Sequence, residues 1–410
     1  MKFSRIIEKI ISIIFTIIYL VPALIFALAV RFFKNKKHKL LICGIETSAN
    51  IKNIAEVLYS SKQYQVSVFQ FYENKNYKLE NHFYNYFTIK SEDSIVKKYF
   101  KAFMKCNYIF ISLIRYDIIF FNWTESFLFL NLDYIFFYLS KKIIIVRHCG
   151  DDVRYRPLQN NIHTFYNITQ WSFSQNSILD LVKKAWRQRI AEKFTLVMST
   201  RDHATFQGRD LLSRPYIQKK LIKTNGFNRV RPLIIHAPSD PKIKGTKYVL
   251  EAIEMLKETN LDFDFELCYG LDNAKLLTKL NDCIILIDQP GAVPARLAVE
   301  GLASGCVIVG GNIFEINNQK NCPIIQFESN SHKLFKIIYN LLNDIDNCKK
   351  ISNLSYKYWE ENFSEKAFLE YFANLIDSKF IRFSLNNNHI DLLKKGPNKW
   401  YENLILKILY

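Results

Sequence analysis

Apolar and polar positions along this chain repeat with the spacing of short buried strands and one-sided helices, with one exception near the start. Residues Ile10 to Val30, IISIIFTIIYLVPALIFALAV, form an apolar run without a single charge. As a helix it would span roughly 30 Å, the depth of a hydrocarbon core. Arg31, Phe32 and Phe33 follow where a removable leader would carry small residues, so cleavage is not expected. Lys2, Arg5 and Lys9 precede the run, and Arg31, Lys34, Lys36, Lys37 and Lys39 follow it. The downstream excess places the body of the protein on the cytoplasmic face of a membrane. Pro22 in mid-run would kink a spanning helix or mark a re-entrant one. A buried core helix is the remaining alternative.

From Lys39 onward, strand-length apolar runs alternate with helical patterns. The strands expected first are Lys39–Gly44, Tyr64–Phe71, Tyr116–Trp123, Lys141–His148 and Phe194–Thr200, the last of which ends the sheet. Helices are expected at Asn50–Ser60, starting at an Asn cap, and at the very apolar Glu125–Ser140. A linker with Pro215, Asn225 and Gly226 follows, and the pattern restarts. Strands are then expected at Pro232–Pro238, Phe263–Gly270, Cys283–Asp288, Cys306–Gly311 and Cys322–Phe327. The helices among them are Lys247–Glu258, Asp272–Leu280 and Val293–Ser304, with more from about Ser331 to Ser378. Strands that are apolar throughout argue for parallel sheets covered on both faces.

The expected fold class is therefore α/β: two Rossmann-like lobes behind an N-terminal membrane helix. The expected division is a membrane segment with its basic flank at 1–38, an acceptor lobe at 39–215, a linker at 216–230, a donor lobe at 231–378 and a tail at 379–410. Two such lobes imply a cleft, with ligands at the carboxyl ends of the strands. The tail's KWYENLILKILY (Lys399–Tyr410) is amphipathic. It either lies at a membrane interface, with Trp400 and Tyr401 as anchors, or packs on the first lobe.

Charge narrows the partners. Lys and Arg number 56 against 38 Asp and Glu, a net charge of +18 that favours a phosphorylated substrate or an anionic lipid. Without an Arg-rich tract or an aromatic–basic signature, nucleic acid is not expected. The eight cysteines are scattered with no C-x-x-C pair, which predicts buried reduced thiols and neither a disulfide framework nor a metal site.

Two segments carry chemistry. In Ile234–Leu256 a strand ends in a polar loop with Pro238, Ser239, Lys242, Lys244 and Gly245, and a helix begins. Free N–H groups at a helix start, two ammonium groups and a glycine that lets backbone approach an anion suit a diphosphate. The loop is not a P-loop, and a basic surface turn is its plain alternative. In Asp282–Gly311 a buried strand ends at Asp288–Gln289, and a helix rich in small residues carries Glu300. A carboxylate there needs donors, either ribose hydroxyls or Arg296 one turn earlier.

Together these segments resemble the nucleotide-binding lobe of retaining GT-B glycosyltransferases, specifically glycosyltransferase family 4. HAPSDPKIKGT is similar to that family's donor diphosphate loop, and IDQPGAVPARLAVEGLASG to its D-Q…G…A-V-E-G segment. Asn347–Ile376 resembles the family's C-terminal helices, which cross back to the first lobe, and RHCGDDVRYRP (Arg147–Pro157) resembles its H-G-x-D-V-R loop. The resemblance implies that Lys244 contacts the donor diphosphate and that Glu300 binds the ribose. It places His148 near the transferred sugar, with Lys244 and His148 as the catalytic pair. Ser239, Lys242 and Gly245 belong to the donor loop, and Gly44, Asp151, Asp152 and Arg154 to the acceptor side. Ser239 stands where many members have Arg, Ala292 replaces the first carboxylate of the E-x7-E pattern, and Pro294 or Ala295 replaces the following glycine. His236 reads as structural.

The implied activity is transfer of a sugar from a nucleotide-diphosphate donor, with retention and without a cofactor or bound metal. A membrane anchor beside the lobes implies a lipid-linked acceptor and a place in envelope polysaccharide or lipopolysaccharide assembly. The alternatives are a sugar-nucleotide epimerase and an inactive membrane scaffold, which Ala292 and the lost glycines favour.

Overall fold

Branched and aromatic runs too short for helices and too apolar for a surface become the inner strands of two sheets. The computed structural model describes residues 2–32, 39–47, 49–74, 79, 87–150, 152–159, 177–199, 206, 211–212, 216–221, 223–242, 244–289, 296–311, 321–327, 330–377, 382–383 and 399–409. The chain divides into two compact units. Unit 1 takes Met1–Leu158, Gln175–Arg214 and Tyr371–Tyr410, and unit 2 takes Gln159–Ser174 and Pro215–Glu370.

Unit 1 opens with α1 (Lys2–Val30), a single helix that runs through Pro22. Then come β1 (Lys39–Ile45), α2 (Asn50–Ser60), β2 (Gln65–Tyr72), α3 (Ile95–Arg115), β3 (Ile118–Asn122), α4 (Asp133–Leu139), β4 (Ile143–Arg147), α5 (Arg156–Gln159), α6 (Ile178–Phe194), β5 (Leu196–Met198) and β6 (Leu211–Leu212). The seven strands run β12-β6-β5-β4-β3-β1-β2, where β12 is Arg382–Phe383. All pairings are parallel except the β12–β6 edge. The sheet thus continues past Phe194–Thr200, which was expected to end it.

Two further expectations change here. Glu125–Ser140 is not one helix: Leu130 and Asn131 turn to φ 56° and 58°, and only α4 follows. The break is fixed by Asp133, whose carboxylate accepts the Ser126 hydroxyl at 2.6 Å and the Phe127 N–H at 3.1 Å. The start of α2 is not capped by Asn50 either. Glu46 reaches forward and accepts the N–H groups of Ile51 at 3.2 Å and Lys52 at 2.9 Å.

Unit 2 contains β7 (Leu233–His236), α7 (Thr246–Lys257), β8 (Asp264–Leu267), α8 (Asn273–Leu280), β9 (Cys283–Ile287), α9 (Arg296–Ala303), β10 (Val307–Gly310) and β11 (Ile325–Gln326). Two helices follow, α10 (Ser331–Asn343) and α11 (Ile345–Asn362), and then α12 (Glu365–Ile376), whose residues from Tyr371 onward are counted with unit 1. The five strands run β11-β10-β9-β7-β8, all parallel. Strand residues alternate between two cores. Ile234, Ile285, Ile287, Val307 and Val309 pack with Val249 of α7 and Leu334 of α10, while Leu233, Ile235, Leu286 and Ile308 pack with Val299 of α9 and Trp359 of α11. Cover on both faces is why these strands carry no polar alternation. The last helix, α13 (Trp400–Leu409), belongs to unit 1, with Glu402 and Leu406 buried.

None of the eight cysteines is in a disulfide; Cys149 and Cys322 are half-buried and the other six are buried.

Candidate nucleotide-binding site

In unit 2 the chain leaves β7 for β8 on one side and then returns to β9 on the other. The carboxyl ends of β7 and β9 therefore form a topological switch point, the place where open α/β sheets bind ligands. His236 ends β7, and Asp288 and Gln289 follow β9. The loop from β7 is folded by Asp240, whose carboxylate accepts the Lys242 N–H and whose carbonyl accepts the Lys244 N–H, both at 2.9 Å. The loop ends at Gly245, which occupies the left-handed region (φ 65°, ψ 26°) and precedes α7 without a side-chain cap. Glycine takes that φ without the steric cost that a side chain adds there.

Lys244 is half-buried and its Nζ donates to Gln289 Oε1, so the two segments singled out in the sequence meet at this point. Ser239 and Lys242 are exposed. His236 holds the arrangement from beneath. Its Nδ1 lies 2.9 Å from the Ile287 carbonyl and its Nε2 2.9 Å from Thr246 Oγ1. A carbonyl can only accept, so Nδ1 carries the proton and Nε2 accepts from the Thr246 hydroxyl. Burial lowers the pKa of this ring, consistent with a neutral tautomer that ties β7, β9 and the start of α7 together.

Glu300, on α9, is 2% exposed. Its Oε1 accepts from Arg296 Nε at 2.9 Å and from Asn273 Nδ2 at 3.0 Å. Burial raises its pKa and the Arg296 charge opposes that rise. The intrahelical pairing with Arg296 is thus present. Asn273, at the start of α8, is a partner that nothing in the local sequence points to. Residues 290–295, including Ala292 and Pro294, lie outside the described residues.

Unit 1 repeats the topology, with its own switch point at the ends of β1 and β3. Here Gly44 has φ +120°, and a Cβ on it would sit 2.1 Å from the Asn122 carbonyl oxygen. The glycine lets β1 and β3 close on each other, and Asn122 then donates to the Ile45 carbonyl at 2.6 Å. The N-terminus of α2 is occupied by the protein's own Glu46, so the two switch points differ: one is filled by a carboxylate, the other presents Lys244.

His148 follows β4, fully buried, with Nδ1 3.1 Å from Ser199 Oγ and its backbone N–H donating to the Met198 carbonyl at 2.9 Å. Asp152 is buried too. It accepts the Gly150 N–H at 2.7 Å, the Cys149 N–H at 3.2 Å and the Thr124 N–H at 3.1 Å, and burial raises its pKa. What the structure shows for Asp152 is organisation of the loop after His148. Arg154 is half-buried, and its carbonyl accepts from Lys184 Nζ at 2.5 Å. Asp151 lies outside the described residues. Among the described residues no group of three or more His, Cys, Asp or Glu could hold a metal ion.

No family model matches the chain and no curated protein matches its sequence. Solved structures are similar in fold. Anabaena Alr3699/HepE in complex with UDP aligns with a TM-score of 0.52 at 12% identity, over 83% of this chain and 100% of that one. TarM aligns with a TM-score of 0.51 at 10% identity, over 85% and 99%. The catalytic domain of starch synthase IV from Arabidopsis thaliana, bound to ADP and acarbose, aligns with a TM-score of 0.50 at 10% identity, over 84% and 99%. At these identities the likeness is one of fold, and the narrower resemblance to family 4 remains one of motifs. The chain folds as two parallel-sheet α/β lobes consistent with those of GT-B glycosyltransferases.

Proposed function

We propose that this protein is a membrane-associated glycosyltransferase whose unit 2 binds a nucleoside-diphosphate sugar, with unit 1 as the acceptor lobe. One observation carries the reading: Lys244 and the start of α7, which has no side-chain cap, lie together at the switch point of unit 2. HepE with UDP or UDP-glucose and starch synthase IV with ADP support a nucleoside diphosphate as the ligand class. As the glycosidic bond breaks, charge grows on the diphosphate. Lys244 and the positive end of α7 would stabilise that charge, so the reading invokes no metal. Glu300, held by Arg296 and Asn273, would meet the ribose. Retention of configuration and a role for His148 beside the transferred sugar follow from the motif resemblance. A lipid-linked acceptor, envelope polysaccharide or lipopolysaccharide assembly and the cytoplasmic face complete the proposal.

The test is a screen of nucleotide sugars for binding, followed by nucleoside-diphosphate release with and without a lipid-linked acceptor. Acceptor-dependent release supports transfer. Absence of nucleotide binding would refute the donor site. Binding without release would favour an inactive scaffold, the reading encouraged by the two donors already bonded to Glu300.

A further inference from the structure

The apolar helix at the N-terminus is fastened to unit 1 along its length. The Phe15 ring packs on Phe103 with centroids 4.8 Å apart. Tyr19 donates its hydroxyl to Asn107 Oδ1 at 2.7 Å, and the rings of Tyr19 and Phe26 meet Phe110 edge-on at 5.3 and 5.5 Å. Thr16 Oγ1 accepts the Phe129 N–H at 2.9 Å, and the Ala27 carbonyl accepts the Ser140 hydroxyl at 3.1 Å. Ala23, Ala27 and Val30 are buried. The helix therefore lies along α3 and α4. The helix α3 is not a membrane helix: its Lys101 pairs with Asp93 at 2.7 Å and its Lys105 with Glu125 at 2.5 Å. A helix held against such a lobe over three turns does not stand across a bilayer.

Its other face is bare. Ile10, Ile14, Ile17, Val21, Ile25 and Leu28 recur at helical spacing, and Ile17 is 70% exposed. Mean hydropathy over Ile13–Val30 is 2.8, with 22% of that window buried. Neighbouring elements carry the same kind of stripe. On α6 these are Leu179, Val182 and Trp186, whose Nε1 donates at 2.8 Å to the Leu130 carbonyl in the turn that also binds α1. On α13, Trp400, Leu404 and Ile408 are exposed. The same elements and their flanks carry exposed cations: Arg31 just after α1, Arg115 on α3, Lys193 on α6, Lys399 just before α13 and Lys407 on it. No exposed carboxylate occurs among the described side chains of α1 and α13. Exposed apolar stripes on elements that also carry exposed cations are complementary to an anionic leaflet, with side chains in the acyl boundary and ammonium groups at the headgroups.

We propose that α1 lies in the plane of an anionic lipid surface without crossing it, and that the exposed stripes of α6 and α13 share the contact. This rests on the membrane association proposed above and changes its mode from spanning to monotopic. The full chain, with a peptide tag ahead of Met1, would be synthesised cell-free with vesicles of phosphatidylcholine and phosphatidylglycerol, floated, and treated with protease from outside. The expected result is flotation with the tag fully digested, weaker flotation on phosphatidylcholine alone, and a drop of roughly tenfold in partitioning for Trp400→Ser combined with Ile408→Ser. Both side chains are exposed, so the fold should survive, and circular dichroism checks that it does. A tag protected until detergent is added would overturn the inference in favour of a spanning helix. Unchanged partitioning of the α13 variant would overturn the shared surface. No flotation of the unmodified chain would overturn membrane association and this inference together, while nucleotide binding by the same sample would leave the donor site standing.

Discussion

Replacing Lys244 by Ala tests the donor site most directly, because the structure separates it from its neighbour Lys242. Lys244 is half-buried and points its ammonium at Gln289, beside the start of α7, whereas Lys242 is exposed. A hydrogen bond to a charged group contributes about 1.5–3 kcal/mol, and at about 1.4 kcal/mol per decade its loss amounts to ~10- to 150-fold in affinity. An exposed ammonium is screened by water and contributes ~0.2–1 kcal/mol, or less than about fivefold. Titration calorimetry with UDP, at low and raised salt, should therefore show Lys244→Ala weakened by one to two decades and Lys242→Ala nearly unchanged. If the variant turns over, kcat should fall by roughly a hundredfold, since the contact strengthens as the diphosphate leaves. Equal effects of the two substitutions would mean that the loop acts only as a diffuse basic surface. Wild-type affinity in Lys244→Ala would refute the site.

Three further outcomes are expected. Glu300→Ala should weaken donor binding at least tenfold with the fold intact, about the worth of one charged hydrogen bond; unchanged calorimetric affinity would leave Glu300 as a purely internal partner of Arg296 and Asn273. Deleting residues 1–32 should destabilise unit 1 as well as release it from lipid, because Ala23 and Ala27 leave its core together with the packed rings of Phe15, Tyr19 and Phe26; a loss on the order of 5 kcal/mol is expected, and an unshifted thermal midpoint would show that the helix is dispensable. Burial lowers the pKa of His236, so below about 6.5 the unfolded chain binds a proton that the folded one refuses, and stability should decline as pH falls. Asp133, pushed up to about 6 by burial, acts in the opposite sense and is common to both proteins in a comparison of wild type with His236→Gln. The acid decline of the thermal midpoint should be shallower in the variant.

The inner strands of unit 2, β7, β9 and β10, were legible because each is covered on both faces and so reads as an unbroken apolar run, whereas the edge strand β8 alternates Asp264 and Glu266 with Phe265 and Leu267. In unit 1 the same rule found β1 to β5 but missed α3. That helix buries Lys101 and Lys105, whose ammonium groups find Asp93 and Glu125, and a buried lysine is invisible to a search for apolar periodicity. Glu125–Ser140 looked helical because its apolar residues suit a helix, and the turn at Leu130 and Asn131 depends on the Asp133 carboxylate reaching back to Ser126 and Phe127. The loop between β7 and α7 was legible for a local reason: lysine, glycine and a helix start are adjacent in sequence. The support of Glu300 by Asn273 was not, since the two residues come from helices on different strand connections. Asn50 had the chemistry of a helix cap, but Glu46 reached the same N–H groups from further back.

The discontinuity of unit 1 has a consequence for the order in which this chain is built. Its third stretch, Tyr371–Tyr410, follows the whole contiguous body of unit 2. That stretch brings β12, which covers the edge of β6, and Glu402, which accepts the Tyr155 hydroxyl at 3.0 Å. On a ribosome adding about 5–20 residues per second, the first stretch waits roughly 10 to 40 s for it. During that interval β6 is an open edge, and the bare face of α1 is already outside the tunnel. The lobe made first is thus the lobe finished last, and its open edge and apolar face stay uncovered by the third stretch until synthesis is almost over.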